Sequence, residues 1–181
     1  MTREIREMAF SEVDLMINYF LNSSDEHLDR LGVDRQKLPS LSEWREMSRR
    51  DFESDYSAKE TCYVVWVLEN ELVGHSHIGK IQFGEEAFMH LHLWDSMHRK
   101  SGNGPFFIRE SINFYFNVFE LQNLFCEPHA INPAPNKTLA KIGFEFLKTY
   151  DTTPSWLNYH QSVNRWVLTR ERFESSFQQP Q

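Results

Sequence analysis

The sequence predicts an α/β (α+β) fold, a single domain with a mixed, mainly antiparallel sheet flanked by helices. Three observations carry this. Three β-rich segments follow one another between residues 61 and 94, separated by short turns. Segments with helical spacing of apolar residues lie on both sides of them. A glycine-marked loop then leads into a Phe-rich helical segment, followed by further strand-like runs.

Taken in order, Ile5–Phe10 reads as a short first strand. Ser11 is placed to cap a helix in which Val13, Met16, Ile17 and Phe20 recur at helical spacing. Asn22–Asp25 ends it. Pro39-Ser40-Leu41-Ser42 opens a second helix, with Ser40 or Ser42 as cap and Trp44 and Met47 on its apolar stripe, running to about Phe52. Cys62–Leu68 is β-branched and aromatic, as a buried strand requires. Leu72–Phe83 and Ala87–Trp94 complete an antiparallel meander, with turns at Glu69-Asn70-Glu71 and Gly84-Glu85-Glu86. After Gly104, Pro105 suits a first helical turn, and Phe106, Ile108, Ile112, Tyr115, Phe116 and Phe119 form a wide apolar face. Leu121–Ile131 reads as a strand and Asn136–Ile142 as a short helix closed by Gly143. Phe144–Tyr150 and Val163–Leu168 are the last strands, and residues 173–181 are expected as a loose tail.

Length and charge narrow the function. A chain of 181 residues suits one core, and residues 1–181 are read as one domain. The net charge of −7 opposes nucleic acid or an anionic membrane as the main partner. No apolar run is long enough to cross a bilayer. The two cysteines, Cys62 and Cys126, sit far apart in apolar runs and in no paired motif. A reducing, cytoplasmic setting is expected.

The chemistry-bearing segment is strand, loop, helix. Arg99-Lys100-Ser101-Gly102-Asn103-Gly104 would expose backbone N–H groups at a helix N-terminus, which favours an anion such as a diphosphate. Gly102 and Gly104 let phosphates approach the backbone, and Arg99 and Lys100 add positive charge. No Gly-Lys-Ser/Thr follows, so the ATP-binding loop is excluded, and the three-glycine dinucleotide spacing is absent.

Leu91–Gly104 resembles motif A of the GNAT superfamily of N-acyltransferases, Arg/Gln-x-x-Gly-x-Gly/Ala between a strand and a helix. Downstream, Asn132–Phe144 resembles the same superfamily's Asn…Lys-x-Gly-Phe segment. With the order of elements, the resemblance spans about Ile5 to Arg172. It implies a GNAT-like domain that uses acetyl-CoA as co-substrate. It implies further that backbone groups of Arg99, Lys100, Ser101, Gly102, Asn103 and Gly104 hold the diphosphate. Trp94 and Asp95 would pair their backbone with the pantetheine arm, and Asn132 would face it; Asn132 as a plain helix cap is an equal alternative. Two positions depart from the pattern. Pro105 removes one N–H, and Leu139 stands where many members carry a tyrosine that protonates the departing thiolate.

Direct attack by an amine needs a proton acceptor. His75 and His77 share one face of one meander strand, and His90 and His92 one face of the next. His90 is the first candidate base, His92 the second, then Glu127 and His129; a water relay with no single base is the other option. The two His-x-His pairs also admit a metal site. The carboxylate spacing usual for such barrels is missing and the long helix after Gly104 fits a barrel poorly, so no metal is expected. The expected activity is N-acetyl transfer to a primary amine, by a monomer or homodimer. The alternative is a non-catalytic acyl-CoA-binding module on the same fold. The long N-terminal half resembles branches that acetylate protein N-termini, aminoglycosides or siderophore precursors. There the first two helices shape the acceptor side, and Asp25, Glu26, Asp29 and Asp34 either attract a cationic acceptor or form a solvated acidic loop.

Overall fold

A computed structural model describes residues 2–94 and 102–177. The elements in chain order are β1 (Arg3–Glu7), α1 (Val13–Leu21), α2 (Asp25–Leu31), α3 (Leu41–Glu53), β2 (Thr61–Leu68), β3 (Glu71–Gln82), β4 (Glu86–Leu93), α4 (Gly104–Val118), β5 (Asn123–Cys126), α5 (Pro133–Ile142), β6 (Glu145–Thr152), β7 (Gln161–Thr169) and α6 (Arg170–Phe177). One seven-stranded sheet has the order β1-β2-β3-β4-β5-β7-β6. All neighbours are antiparallel except β4 and β5, which run parallel. This is the mixed, mainly antiparallel sheet that the residue patterns predict. Among the described residues no helix is long and apolar enough to cross a membrane.

Local chemistry explains the meander. Val64, Val65 and Trp66 of β2 are all buried, because helices cover both faces of the sheet there. Glu69 and Asn70 both take positive φ, the conformation that a two-residue hairpin turn needs. Gly74 is required by contact: a Cβ there would lie 2.6 Å from the His92 carbonyl. Between Gly79 and Gln82 the β3–β4 register shifts by one residue, so Lys80 and Ile81 oppose Ala87. Lys80 takes a φ of 51° at this bulge.

Helices α4, α5 and α6 pack on one face through Phe107, Ile112, Phe116, Leu139, Ile142 and Phe173. Helices α1, α2 and α3 cover the other through Met16, Phe20, Leu28 and Trp44. Ser40 caps α3 in a reciprocal pair with Glu43. Gly143 ends α5 at a φ of 105°, the left-handed stop predicted for it.

Four segments differ from their predicted form. Ser11 caps nothing; Glu12 accepts the Ala9 N–H at 2.9 Å and pairs with Arg6, so a short turn precedes α1. The acidic stretch after Asn22 is helical, because Ser24 accepts the His27 N–H and Leu28 is buried. Strand β5 stops at Cys126, well short of Ile131. Residues 170–177 form α6 where a loose tail is expected from residue 173: Phe173 is fully buried, its ring stacked 4.4 Å from Phe116.

Phe173 therefore carries stability, not a frayed end. Phe173→Ala should destabilise the protein by about 3–5 kcal/mol. A urea titration checks this, and an unchanged midpoint would mean that α6 does not dock.

Candidate active site

The site begins where β4 and β5 part. They pair only from Glu86↔Asn123 to Phe88↔Phe125. Beyond that the chain after β5 stays with β7: Asn164 N–H donates to the Pro128 carbonyl at 3.1 Å and Ala130 N–H to the Ser162 carbonyl at 2.9 Å. Cys126 Sγ donates to the Met89 carbonyl at 3.1 Å, closing the ladder. From there, among the described residues, β4 has no strand beside it on that side.

Strand phase says which backbone groups face the gap. Trp94 N–H donates to the Val73 carbonyl at 3.0 Å, so the backbone of Trp94, and by alternation of His92 and His90, points to β3. The groups of Leu91 and Leu93 then point into the gap. Of the two residues expected to offer backbone here, Trp94 thus spends its N–H inside the sheet. Asp95 lies outside the described residues, as do Arg99, Lys100 and Ser101 of the loop. Gly102, Asn103 and Gly104 are described. Gly102 takes a φ of 74°, Asn103 is buried just ahead of α4, and a Cβ on either glycine would meet nothing within 4 Å. The start of α4 thus presents open space beside both glycines, and Pro105 in its first turn brings no N–H donor.

The gap opens into a cavity of about 80 Å³ lined by His90, His92, Glu127, His129 and Asn132 among others. All four candidate bases therefore meet at one cleft. A second cavity, of about 160 Å³, lies under α1 and α3, and His90 and Pro154 line both. Among the described residues, His90 is the candidate base that joins the two spaces.

The four histidines form a square on the α1–α3 face. His75 opposes His92 and His77 opposes His90 across β3 and β4. Their rings stack, with centroids 4.8 Å apart in the first pair and 4.6 Å in the second. Tyr19 and Phe20 of α1 pack edge-on above them. Burial pushes the His90 imidazole down to about 4, with Lys80 adding to the effect and Glu127 opposing it. Burial, and after it the neighbouring imidazoles, holds His75, His77 and His92 well below the usual range. All four are neutral at pH 7.

Ring nitrogens of His75, His77 and His92 lie within 4.8 Å of one another, a spacing that invites a metal reading. The hydrogen bonding opposes it. Trp94 Nε1, which can only donate, gives its proton to His75 Nδ1 at 2.7 Å. His75 Nδ1 is therefore the acceptor, and its single proton sits on Nε2, leaving no lone pair for an ion. The rings are also within 20° of parallel, so their in-plane lone pairs do not converge.

The other candidates are differently placed. Glu127 is buried and accepts from Arg165 Nε at 2.5 Å and from Tyr150 Oη, so its carboxylate serves an ion pair. His129 bridges to β7 opposite Val163, and its Nδ1 is buried with no partner. Asn132 stands at the N-cap position of α5, yet its side chain caps nothing and donates to the Arg30 carbonyl at 3.2 Å. Asn136, one turn on and missed by sequence reasoning, ties the cleft wall together. Its amide donates to the carbonyls of His129 and Asn132, and its oxygen accepts from Trp166 and Asn164. Its spacing of four from Asn132 was the signal available. Leu139 is fully buried in the core, so α5 supplies no acid at that position.

No protein-family model and no curated protein matches the sequence. Solved structures do match the fold. The Vibrio cholerae spermidine N-acetyltransferase in complex with CoA and spermine superposes with a TM-score of 0.77 at 14% identity, over 94% of this chain and 97% of that one. This chain has that enzyme's fold. A chimera built on the same Vibrio cholerae spermidine N-acetyltransferase gives a TM-score of 0.76 at 13% identity, over 97% and 99%.

The neutral histidines make stability depend on pH, with a definite sign. The folded pKa of His90 lies below the unfolded value, so between about 6.5 and about 4 the unfolded chain binds the extra proton. Stability is complete above that window and falls as pH falls through it. From about pH 7.5 to about pH 5 His90 alone should cost roughly 2 kcal/mol, and its neighbours add to this. Urea midpoints at the two pH values test it; equal midpoints would contradict the neutral histidine square.

Proposed function

We propose that the protein is an N-acetyltransferase that moves an acetyl group from acetyl-CoA to a primary amine. The observation that carries the reading is the parting of β4 from β5 directly before the loop and helix start at Gly102–Gly104. This gap suits an extended pantetheine arm, because the backbone groups of Leu91 and Leu93 that face away from β3 can bond its amides as a missing strand would. The N-terminus of α4 suits its diphosphate, with Arg99, Lys100 and Ser101 completing the cradle. The likeness to a fold seen with CoA bound supports the same reading. No metal takes part. Both cysteines are free and buried, and burial pushes the Cys126 thiol up to about 12, which suits a reducing compartment such as the cytoplasm.

The chemistry follows from the neutral imidazole. The amine nitrogen attacks the thioester carbonyl, forming C–N as C–S breaks. His90, facing both cavities, accepts the amine proton directly or through water. A neutral His90 is ready for this at any pH where the amine is free. The thiolate takes its proton from solvent, since Leu139 cannot give one.

Leu139 favours one other reading, a module that binds acyl-CoA without transfer. Two variants separate them. Gly102→Val, which forces a branched side chain into the left-handed region, should abolish the thermal stabilisation given by acetyl-CoA. His90→Gln should keep that stabilisation and slow thiol release by roughly a hundredfold. Stabilisation of the parent protein without thiol release on any amine would select the module. Absence of stabilisation by any CoA thioester would defeat both.

A further inference from the structure

We propose that the cavity under α1 and α3 is the acceptor site, and that it selects a monoamine with a flat apolar body rather than a polyamine. This rests on the N-acetyltransferase reading and adds the substrate class. It departs from the polyamine named for the structurally similar enzyme.

The first argument is the wall. Phe20 of α1, Trp44 of α3, Tyr63 of β2 and Trp156 line the cavity. Trp44 is buried, its ring edge-to-face with Trp156 at 5.6 Å. Trp156 is 50% exposed, so core packing does not account for it. A large aromatic left half in water at a cavity mouth is a contact surface.

The second argument is charge. Among the described residues no carboxylate lines this cavity, and Lys80 is its one formally charged lining group. The β3 bulge puts Lys80 in the left-handed region, where a non-glycine residue is strained, and its ammonium donates to the Pro154 carbonyl at 2.7 Å at the cavity wall. His77 and His90, the polar groups at the inner end, are neutral imidazoles. A single amine can give them its N–H groups. Within the cavity a second ammonium on the same ligand would meet no carboxylate among the described residues and would face Lys80.

The acidic residues nearby are committed elsewhere. Asp51 and Glu60 line an adjoining surface cleft. Asp51 Oδ1 accepts from the Glu60 and Thr61 N–H groups, and Glu60 lies 3.4 Å from Arg50. Asp25, Asp29 and Asp34 line a separate hollow, where Asp25 pairs with Arg35 and Asp34 caps the turn at Gln36. The acidic stretch, read from the sequence as either a cation-attracting surface or a solvated loop, therefore does not face this cavity.

The test compares 2-phenylethylamine with spermidine, using acetyl-CoA as donor and thiol release as readout. We expect kcat/KM for the aromatic amine to exceed that for spermidine by at least about tenfold. Trp156→Ala should raise KM for 2-phenylethylamine by about tenfold and leave KM for acetyl-CoA within about twofold. Lys80→Gln should narrow the gap by improving spermidine. A preference for spermidine, or an unchanged KM in Trp156→Ala, overturns the inference while leaving the N-acetyltransferase reading intact. If acetyl-CoA stabilises the protein but neither amine turns over, tryptophan fluorescence decides: saturable quenching by 2-phenylethylamine, lost in Trp156→Ala, upholds the site, and its absence overturns it. No stabilisation by acetyl-CoA defeats the reading and the inference together.

Discussion

The structure depends on a competition for one short strand. β5 has four residues and two neighbours. On the β7 side its pairing continues past its end, through Pro128, His129 and Ala130. On the β4 side it stops at Phe125, and Cys126 Sγ meets the Met89 carbonyl beyond it. Had both ladders continued, the sheet would have closed and no cleft would exist. The opening costs unpaired backbone on β4, which a folded protein normally avoids. Such a cost is expected where a ligand is meant to meet it.

The same strand divides the labour in the proposed reaction. In a strand, backbone groups lie in the plane of the sheet and side chains stand out of it. Leu91 and Leu93 therefore offer backbone sideways to the cleft, while His90 and His92 stand on the face beneath α1. One substrate would be held by the edge of β4 and the other by its face. His90 is where the two directions meet, since it lines both cavities. Its neutrality has the same origin as its position, for the helices that make the acceptor cavity also keep water from the ring.

Much of this was legible in the residues. The meander showed in β-branched and aromatic runs, Ser40 with Glu43 and Gly143 showed in capping chemistry, and His90 showed in strand alternation. What was missed depended on partners distant in sequence. Helix α2 has few apolar residues, and its hold is Leu28 against α1 and α3. Helix α6 looked like a polar tail until Phe116 supplied a stacking partner for Phe173. Glu127 looked like a base because Arg165 and Tyr150, which occupy it, are 38 and 23 residues away. The four-histidine square, a meeting of four imidazoles, was weighed from the sequence only as a metal site. Its protonation needed the Trp94 indole, whose contact with His75 no pattern announces.

That indole bears on how the square serves catalysis. Trp94 fixes the His75 tautomer, and a fixed tautomer turns a set of imidazoles into ordered donors and acceptors. His75 Nε2–H, buried with no partner, sits among ring nitrogens of His77 and His92 that also lack one. Leaving such groups unsatisfied costs about 1–3 kcal/mol each. Replacing them with apolar residues would make a more stable sheet. A cluster that is worse for stability than its obvious substitute is best understood by what it does to the neighbouring ring. In the proposed reaction desolvation, with Lys80 adding to it, keeps His90 neutral until the amine arrives, so the proton it takes is the one released by the forming C–N bond.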